Sequence, residues 1–598
     1  MTTIASLLRD AQTHARQQEW DQAQTCLEQV ILQDSVHVEA LEGLPQILSH
    51  QGHYRAAAEA FDRLLAVAPL TPLRLRAAAA SHRRVSQFGR AVTLFRQAMS
   101  LAPRDLTLIV ETANALGENA QVDEAVTLLT QTIRMHPKVW QLHYNLGCQL
   151  GLQGQYGAEI EAYQRALQCA PDCLPAYVNL GVAFRDQHRF DDAMRMFKKA
   201  VQLRDDYPGA RANRAQTNLL LGQYEHGWRE YEWRWQEGWR THPYRDQRPW
   251  LGEAPLQGKT ILLHAEQGFG DTVQFIRYVG LVHALGAHVA LQVQPALLTL
   301  LREDPEMRQM ATILPLPTEG FGEDPAWSRP QEASEGMPKD MVEMAQTATP
   351  DFDYQTPLMS LPLAFKTTLQ NIPLAERYLR ANPLRVARVE ARLQGEQITT
   401  ASSGVDAAGM PHPMPHPTHP TTHPTPHQEA GDAPQSFPEK RRLRVGIAWA
   451  GRAFPPRRSI PLALMQPLIE RMHAAGVDVI ALQKDVLETD RLSWEVIPAL
   501  RELRDAMGDF ADTAALISTV DLVISIDTVI AHLAGALGKP TWVMLRHTPD
   551  WRWLLNRNDS PWYETMRLFR QPKPDDWVAV LESVQTAVEG WLADAERK

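Results

Sequence analysis

Apolar and polar positions alternate along the first 235 residues with a period of 34, and no insertion breaks the register. One small position per unit marks the phase: Ala23, Ala57, Ala91, Ala125, Glu159, Ala193 and Gly227. Ahead of each stands an apolar or aromatic residue: Trp20, Tyr54, Phe88, Val122, Tyr156, Phe190 and Tyr224. Pro69, Pro103, Pro137 and Pro171 close four of the units at one phase. A repeat of this length predicts helix–turn–helix units stacked as an α solenoid of seven repeats over residues 5–236. Glu159 breaks the small-residue rule, and a local shift that puts Ala158 in its place is expected. A solenoid is a binding surface, so any chemistry is expected behind it.

The pattern changes at Lys259. Thr260–His264 reads as a short buried strand, Ala265–Asp271 as a glycine-bearing turn, and His288–Val293 as the next strand. The helix between them should run through Gln274, Arg277 and Leu281 and end near Gly286. This is a Rossmann-like βαβ pattern, although the turn lacks a full dinucleotide fingerprint. A second series of strands follows at 443–450, 477–482, 521–526 and 541–545. The loop after the first carries Arg452, Arg457 and Arg458, and the third runs into Asp527 and Thr528. Parallel strands bind ligands at their carboxyl ends. A helix start at Thr528 offers free N–H groups to a phosphate, and neighbouring arginines can neutralise a diphosphate.

These signals divide the chain into the solenoid, a connector (237–258), a first α/β domain (259–399) with an insertion at 317–350, a linker (400–440) and a second α/β domain (441–598). The linker is rich in proline and histidine, a composition that neither a helix nor a sheet accepts. Its histidines, His412, His416, His419, His423 and His427, are irregularly spaced, which favours adventitious metal binding over a built site.

A chain of 598 residues with 44% apolar and 22% charged residues is expected to be a soluble multidomain protein. A net charge of −10 without a basic run of five disfavours nucleic acid as a partner. No stretch of 18 apolar residues predicts a membrane span, and the N-terminus lacks the pattern of a secretory signal. Cys26, Cys148, Cys169 and Cys173 suit a reducing compartment, so a cytoplasmic location is expected; no second pair completes a zinc site around Cys169 and Cys173.

The unit from Leu142 to Pro171, with Leu146, Gly147, Gly154, Tyr156, Tyr163, Ala166 and Pro171 in phase, closely resembles the tetratricopeptide repeat. The next unit agrees through Leu180, Gly181, Phe184, Phe190, Ala193, Phe197 and Ala200. Asn145, Asn179 and Asn213 recur on three successive first helices. An Asn amide both donates and accepts, so such a ladder can grip an extended peptide. In the repeats of protein O-glycosyltransferases that rung holds the acceptor polypeptide. Asn is also simply common at this position, and Glu111 and Ala77 stand there in earlier units.

The segments HAEQGFGDTVQFIRY (264–278), DYQTPLMSLPLAF (353–365), RVGIAWAG (444–451), LQKD (482–485), GDFADTAALIS (508–518) and DLVISIDTVIAHLAGALGKPTWVML (521–545) resemble the heptosyltransferase-like family 9 glycosyltransferases, in a branch fused behind tetratricopeptide repeats. The resemblance implies a GT-B fold of two Rossmann-like domains and an inverting, metal-independent transfer from a nucleotide sugar. It makes Asp271 the general base, with Gly268, Gly270 and Gln274 on the acceptor side. Asp527, Thr528 and His532 match the nucleotide-sugar motif, and Arg458 and Ser459 the phosphate loop, where heptosyltransferases carry Lys. Gln483, Lys484 and Asp509 with Asp512 close the same rim. Plainer readings stand beside these: Asp271 as a helix cap and His532 as a helix histidine. No cofactor or metal is expected, and no Asp-x-Asp motif lies near the cleft. The expected partners are the nucleotide sugar and an acceptor polypeptide recruited by the repeats. The alternatives are a lipopolysaccharide or surface-glycan heptosyltransferase and a non-catalytic scaffold.

Overall fold

Seven helix pairs occupy the N-terminal part, from α1 (Ile4–Arg16) and α2 (Trp20–Gln33) to α13 (Pro208–Leu220) and α14 (Tyr224–Tyr231). The computed structural model describes residues 3–236, 244, 247–316, 350–373, 377–395, 441–451, 457–486 and 488–597. Most of the expected insertion, the Pro/His-rich linker with its five histidines, Arg452 and the first residues of the connector lie outside the described residues.

The second helix of every pair begins at the residue the sequence marks: Trp20, Tyr54, Phe88, Val122, Tyr156, Phe190 and Tyr224. Ala23, Ala57, Ala91, Ala125 and Ala193 are fully buried, because only a methyl group fits where the two helices of a pair cross. In repeats five and six a first-helix glycine also makes room for an aromatic ring of the second helix. A Cβ on Gly147 would stand 2.6 Å from the Tyr163 ring, and one on Gly181 would stand 2.5 Å from Phe197. Glu159 keeps its register, contrary to the expected shift to Ala158. Gly151 makes the room, since a Cβ there would meet the Glu159 carboxylate at 2.7 Å. Burial pushes the Glu159 carboxyl up to about 8.

The turn inside each pair is closed by one left-handed residue at the same period: Gln18, Gly52, Ser86, Ala120, Gly154, His188 and Gly222. Three of these turns, in repeats five to seven, face the C-terminal half of the chain. Gly154 lies against Arg457, His188 stacks on His547 at 3.9 Å, and Gly222 meets Leu369. The solenoid is therefore joined to the α/β half along one edge.

That half contains two parallel sheets. The first has the order β3-β2-β1-β4, from β1 (Thr260–His264), β2 (His288–Val293), β3 (Ala311–Pro315) and β4 (Tyr354–Pro357). The second has the order β10-β9-β8-β5-β6-β7, from β5 (Arg444–Ala448), β6 (Asp478–Ala481), β7 (Leu500–Arg501), β8 (Leu522–Ile526), β9 (Thr541–Leu545) and β10 (Met566–Arg570). Both are parallel throughout, as βαβ patterning requires. The expected strands match within about two residues; β3, β4, β7 and β10 carried no clear signal. The helix expected through Leu281 is broken, with a 3₁₀ turn at Ile276–Tyr278 between Phe269–Phe275 and Val279–Ala284.

Two boundaries shift. The connector reaches the first sheet, where Pro249 bridges to Gln355 and Trp250 is buried. The helix Pro383–Leu393, assigned by sequence to the first domain, packs on Phe510–Thr519 of the second. Its Glu390 pairs with Arg444 at 2.6 Å, and Arg501 donates to the carbonyl of Leu393 at 3.2 Å. Upstream, the Tyr378 and Leu379 amides both donate to the Ala536 carbonyl at 3.0 Å. The Arg380 amide donates to Asp304 Oδ2 at 2.7 Å, so from residue 378 the chain runs along the seam in contact with both halves, ahead of the proline-rich stretch. No described helix is long and apolar enough to cross a membrane.

One continuous core runs from repeat seven through both sheets. Its centre is aromatic: Trp228 meets Trp551 edge-on at 5.1 Å, Trp562 at 6.4 Å and Phe275 at 6.5 Å. Tyr224 accepts a hydrogen bond from the Trp562 indole at 3.1 Å. Trp228→Ala is expected to cost about 3–5 kcal/mol and to split one calorimetric unfolding transition into separate repeat and α/β transitions. A single transition at an unchanged temperature would contradict this account of the junction.

Candidate functional site

In each sheet the strand order reverses at one point, between β1 and β4 in the first and between β5 and β8 in the second. Crevices at the carboxyl ends of such strands are where doubly wound folds bind ligands. Ala265–Asp271 follows β1, Gly451 to Ser459 flank the loop after β5, and Asp527 and Thr528 follow β8. The two reversal points face each other across the seam between the sheets.

On the first side, Gly268 starts the short helix Phe269–Phe275, and its amide donates to Asp271 Oδ2 at 2.8 Å. Asp271 therefore does cap the helix, the plainer reading of it. Its other oxygen, Oδ1, is ion-paired with Arg552 from the opposite half. Gln274 is fully buried; its Oε1 accepts from Arg552 Nε at 2.5 Å, and its Nε2 has no hydrogen-bond partner among the described residues. Gly270 lies against His532, and a Cβ there would come within 2.8 Å of the imidazole. Phe269 meets Phe510 at 5.0 Å beside it.

On the second side, Thr528 caps the helix Val529–Ala536 by accepting from the Ile530 amide at 3.3 Å. His532, one turn in, is buried and accepts from or donates to the Tyr563 hydroxyl at 2.8 Å. Burial and the guanidinium groups of Arg552, Arg277 and Arg458 hold its pKa well below the ordinary value, so it is neutral. Asp527 lies 3.9 Å from His532 Nε2. Its carboxyl is pushed up to about 6 by burial and by Asp550, against the pull of Arg458 and Arg552. Arg458 packs against Gly451, where a Cβ would also meet the Thr528 methyl group at 3.1 Å, and Ser459 accepts from the Gly451 amide at 3.1 Å.

The geometry thus brings Gly270, Asp271, Gln274, Arg458, Asp527, Thr528 and His532 together around Arg552. The other sequence candidates have different surroundings. Gln483 ties β6 to β5 by accepting from the Ala450 amide at 3.1 Å, and Lys484 donates to the Gly508 carbonyl at 2.8 Å. Asp509 caps Phe510–Thr519, and with Asp512 it pairs with Arg385, which also binds Glu303 at 2.8 Å. These acids brace the two halves. Within the solenoid, Asn145 is buried and donates to the Gln141 carbonyl at 2.7 Å, and Asn213 donates to the Gly209 carbonyl at 2.9 Å. Asn179 donates to the Tyr144 hydroxyl at 3.1 Å. Each of the three amides thus already makes hydrogen bonds within the solenoid, and the Asn213 oxygen accepts from Arg185 at 3.4 Å.

Sequence reasoning missed Arg552, Asp550, Trp553 and Tyr563. Arg552 is buried and bridges Asp271, across the seam, to Asp550 on its own side, the latter at 2.7 Å. The segment HTPDWRW directly follows the carboxyl end of β9, so the same strand-end rule that selected Asp527 would have selected it. Among the described residues no group of three His, Cys, Asp or Glu side chains is arranged to hold a metal.

Known proteins bear on the repeats. Residues 8–72 and 110–172 match one model of the tetratricopeptide repeat, and residues 176–204 match another. With the seven helix pairs, this identifies the solenoid as an array of tetratricopeptide repeats. Protein FlbA of Caulobacter vibrioides is 25% identical over 402 residues, which cover 64% of this chain and 55% of that protein. The chain thus spans about half the length of that relative. Among solved structures, MamA from residue 41 of Desulfovibrio magneticus RS-1 has a TM-score of 0.26 at 19% identity, over 28% of this chain and 96% of that one. TTC0263, a thermophilic repeat protein of Thermus thermophilus, has a TM-score of 0.25 at 17% identity, over 27% and 88%.

Asp527 retains its proton in the folded chain between about pH 4 and 6, where an unfolded chain has released it. Its ionisation therefore destabilises the fold as pH rises through that window. Asp527→Asn is expected to melt close to the native chain at about pH 4 and to be the more stable form, by on the order of 2 kcal/mol, at neutral pH. A difference in melting temperature that does not vary with pH would contradict the assignment.

Proposed function

We propose that the two α/β units form a GT-B glycosyltransferase that moves a sugar, with inversion, from a nucleotide-sugar donor to a polypeptide held by the repeats. The observation that supports it best is the meeting of Asp271 and Asp527, from the reversal points of two different sheets, around the buried Arg552. In this reading the nucleotide lies over Thr528 and the start of Val529–Ala536, with its diphosphate between Arg458 and Arg552. Both carboxylate oxygens of Asp271 are engaged, one by the Gly268 amide and the other by Arg552. The incoming diphosphate competes for Arg552 and releases Asp271 to accept the proton of the acceptor hydroxyl. The hydroxyl oxygen then attacks the anomeric carbon from the face opposite the diphosphate, and the bond to the diphosphate oxygen breaks. Neutral His532 keeps its polar edge on Tyr563 and adds no charge to this step.

Asp271→Asn is expected to lower transfer by about 10²–10⁴-fold while nucleotide binding is kept, measured by mass shift of the acceptor and by calorimetry. Undiminished transfer would remove Asp271 as the base. Replacing Asn145, Asn179 and Asn213 together by Ala should reduce polypeptide modification and spare donor hydrolysis; equal modification would end the ladder reading. The tight Arg552–Asp271 pair also supports a second reading, a scaffold whose α/β half no longer turns over. Nucleotide binding without transfer to any polypeptide in the parent cell extract would favour it.

A further inference from the structure

Arg457 and Arg458 are consecutive, yet they serve opposite faces of the second α/β unit. Arg458 packs on Gly451 and acts electrostatically on Asp527. Arg457 turns away, onto the fifth repeat. Its Nη2 donates to the Leu152 carbonyl at 2.5 Å, its Nη1 reaches the Tyr156 hydroxyl at 3.4 Å, and the same group is ion-paired with Asp575. Tyr156 itself reaches Asp575 at 3.4 Å, so the three side chains close a ring. The guanidinium also lies against Gly154, where a Cβ would collide with Nη1. Arg457 has a φ of 61°, a left-handed conformation that costs an arginine on the order of 1 kcal/mol. Such a conformation persists where the surroundings over-determine it. Here they do, from a segment some 300 residues away in sequence.

We propose that the fifth repeat is part of the donor site: the turn from Leu152 to Tyr156 clamps Arg457 and thereby positions Arg458 and Ser459 for the diphosphate. This rests on the glycosyltransferase reading and deepens it. Arg457 is a positioning residue, because its own contacts all point to the solenoid and Asp575. The proposal gives the fusion of repeats to catalytic unit a physical purpose, since Arg458 and Ser459 take their position from the module that carries the acceptor.

The test acts from the solenoid side, on the turn that holds Arg457. Gly154→Ala inserts a methyl group into the guanidinium. The native chain already has Ala120 at the equivalent turn position of the fourth repeat, with φ 60°, so the repeat accepts alanine there. Gly52→Ala, the same position in the second repeat, is the control with the same backbone cost and no contact to the loop. UDP, GDP, ADP and CDP are titrated calorimetrically into each full-length chain, and hydrogen exchange is followed in peptides covering residues 457–461. Gly154→Ala is expected to weaken the nucleoside diphosphate that binds by about tenfold and to speed exchange in those peptides. Turnover at saturating donor should stay within about twofold, a rise in KM without a fall in kcat. Gly52→Ala should match the native chain in both. Tyr156→Phe, which removes only a hydroxyl, should move affinity in the same direction by less. Equal affinity and equal exchange in Gly154→Ala overturn the clamp alone. Failure of all four nucleotides to bind the native chain overturns the glycosyltransferase reading and the clamp's purpose with it.

Discussion

Everything behind the repeats depends on the aromatic junction around Trp228. Its ring is the point where repeat seven, the first sheet and the second meet, against Phe275 from one side and Trp551 and Trp562 from the other. Large rings packed edge to face contribute through area and through quadrupole geometry, so the junction resists both sliding and separation. It also fixes the seam, because Phe275 ends the helix that carries Asp271 and Trp551 precedes Arg552. A packing interaction thereby sets the distance between two carboxylates on different sheets.

Charge then refines what packing has placed. Arg277 is buried and donates to the Trp562 carbonyl at 2.5 Å and to the Tyr378 hydroxyl at 3.0 Å. Arg234 is buried against Glu266 at 2.7 Å, with Ser360 completing its hydrogen bonds. Buried cations of this kind cost desolvation free energy unless every donor is used, so they specify a single docking of the units more than they stabilise it. Arg552 follows the same rule but with a difference. Its partners, Asp271, Asp550 and Gln274, lie on both sides of the seam, where an anionic ligand would compete for it.

Much of the solenoid was legible in the sequence, because a 34-residue period fixes the start of every second helix and the phase of every buried alanine. Glu159 was misread for a local reason: a residue too large for its own position can be fitted by removing a side chain opposite, and Gly151 does that. In the α/β half, fully buried strands such as Leu522–Ile526 announced themselves as apolar runs, whereas β4 and β10 are interrupted by polar residues and did not. Composition marks the Pro/His-rich stretch as the linker, and no local pattern announces that Tyr378 and Leu379 already bond to Ala536 of the second half. Asp271, Asp527 and His532 were singled out by the family resemblance, and Asp527 also by its place at a strand end. Arg552 was not, although its segment follows the end of β9: the strand-end rule marks the segment, while the sequence does not report that this side chain reaches across the seam.

The central claim is that the seam between the sheets is a nucleotide-sugar pocket. Thermal unfolding of the full-length chain with nucleotide sugars of each base tests it most directly. A ligand bound only by the folded chain stabilises it by about 2.7 kcal/mol at a hundredfold excess over Kd. The account predicts a rise in melting temperature with one nucleotide class, lost when Arg552 is replaced by Gln. No rise with any of them, or one that survives that replacement unchanged, would contradict it.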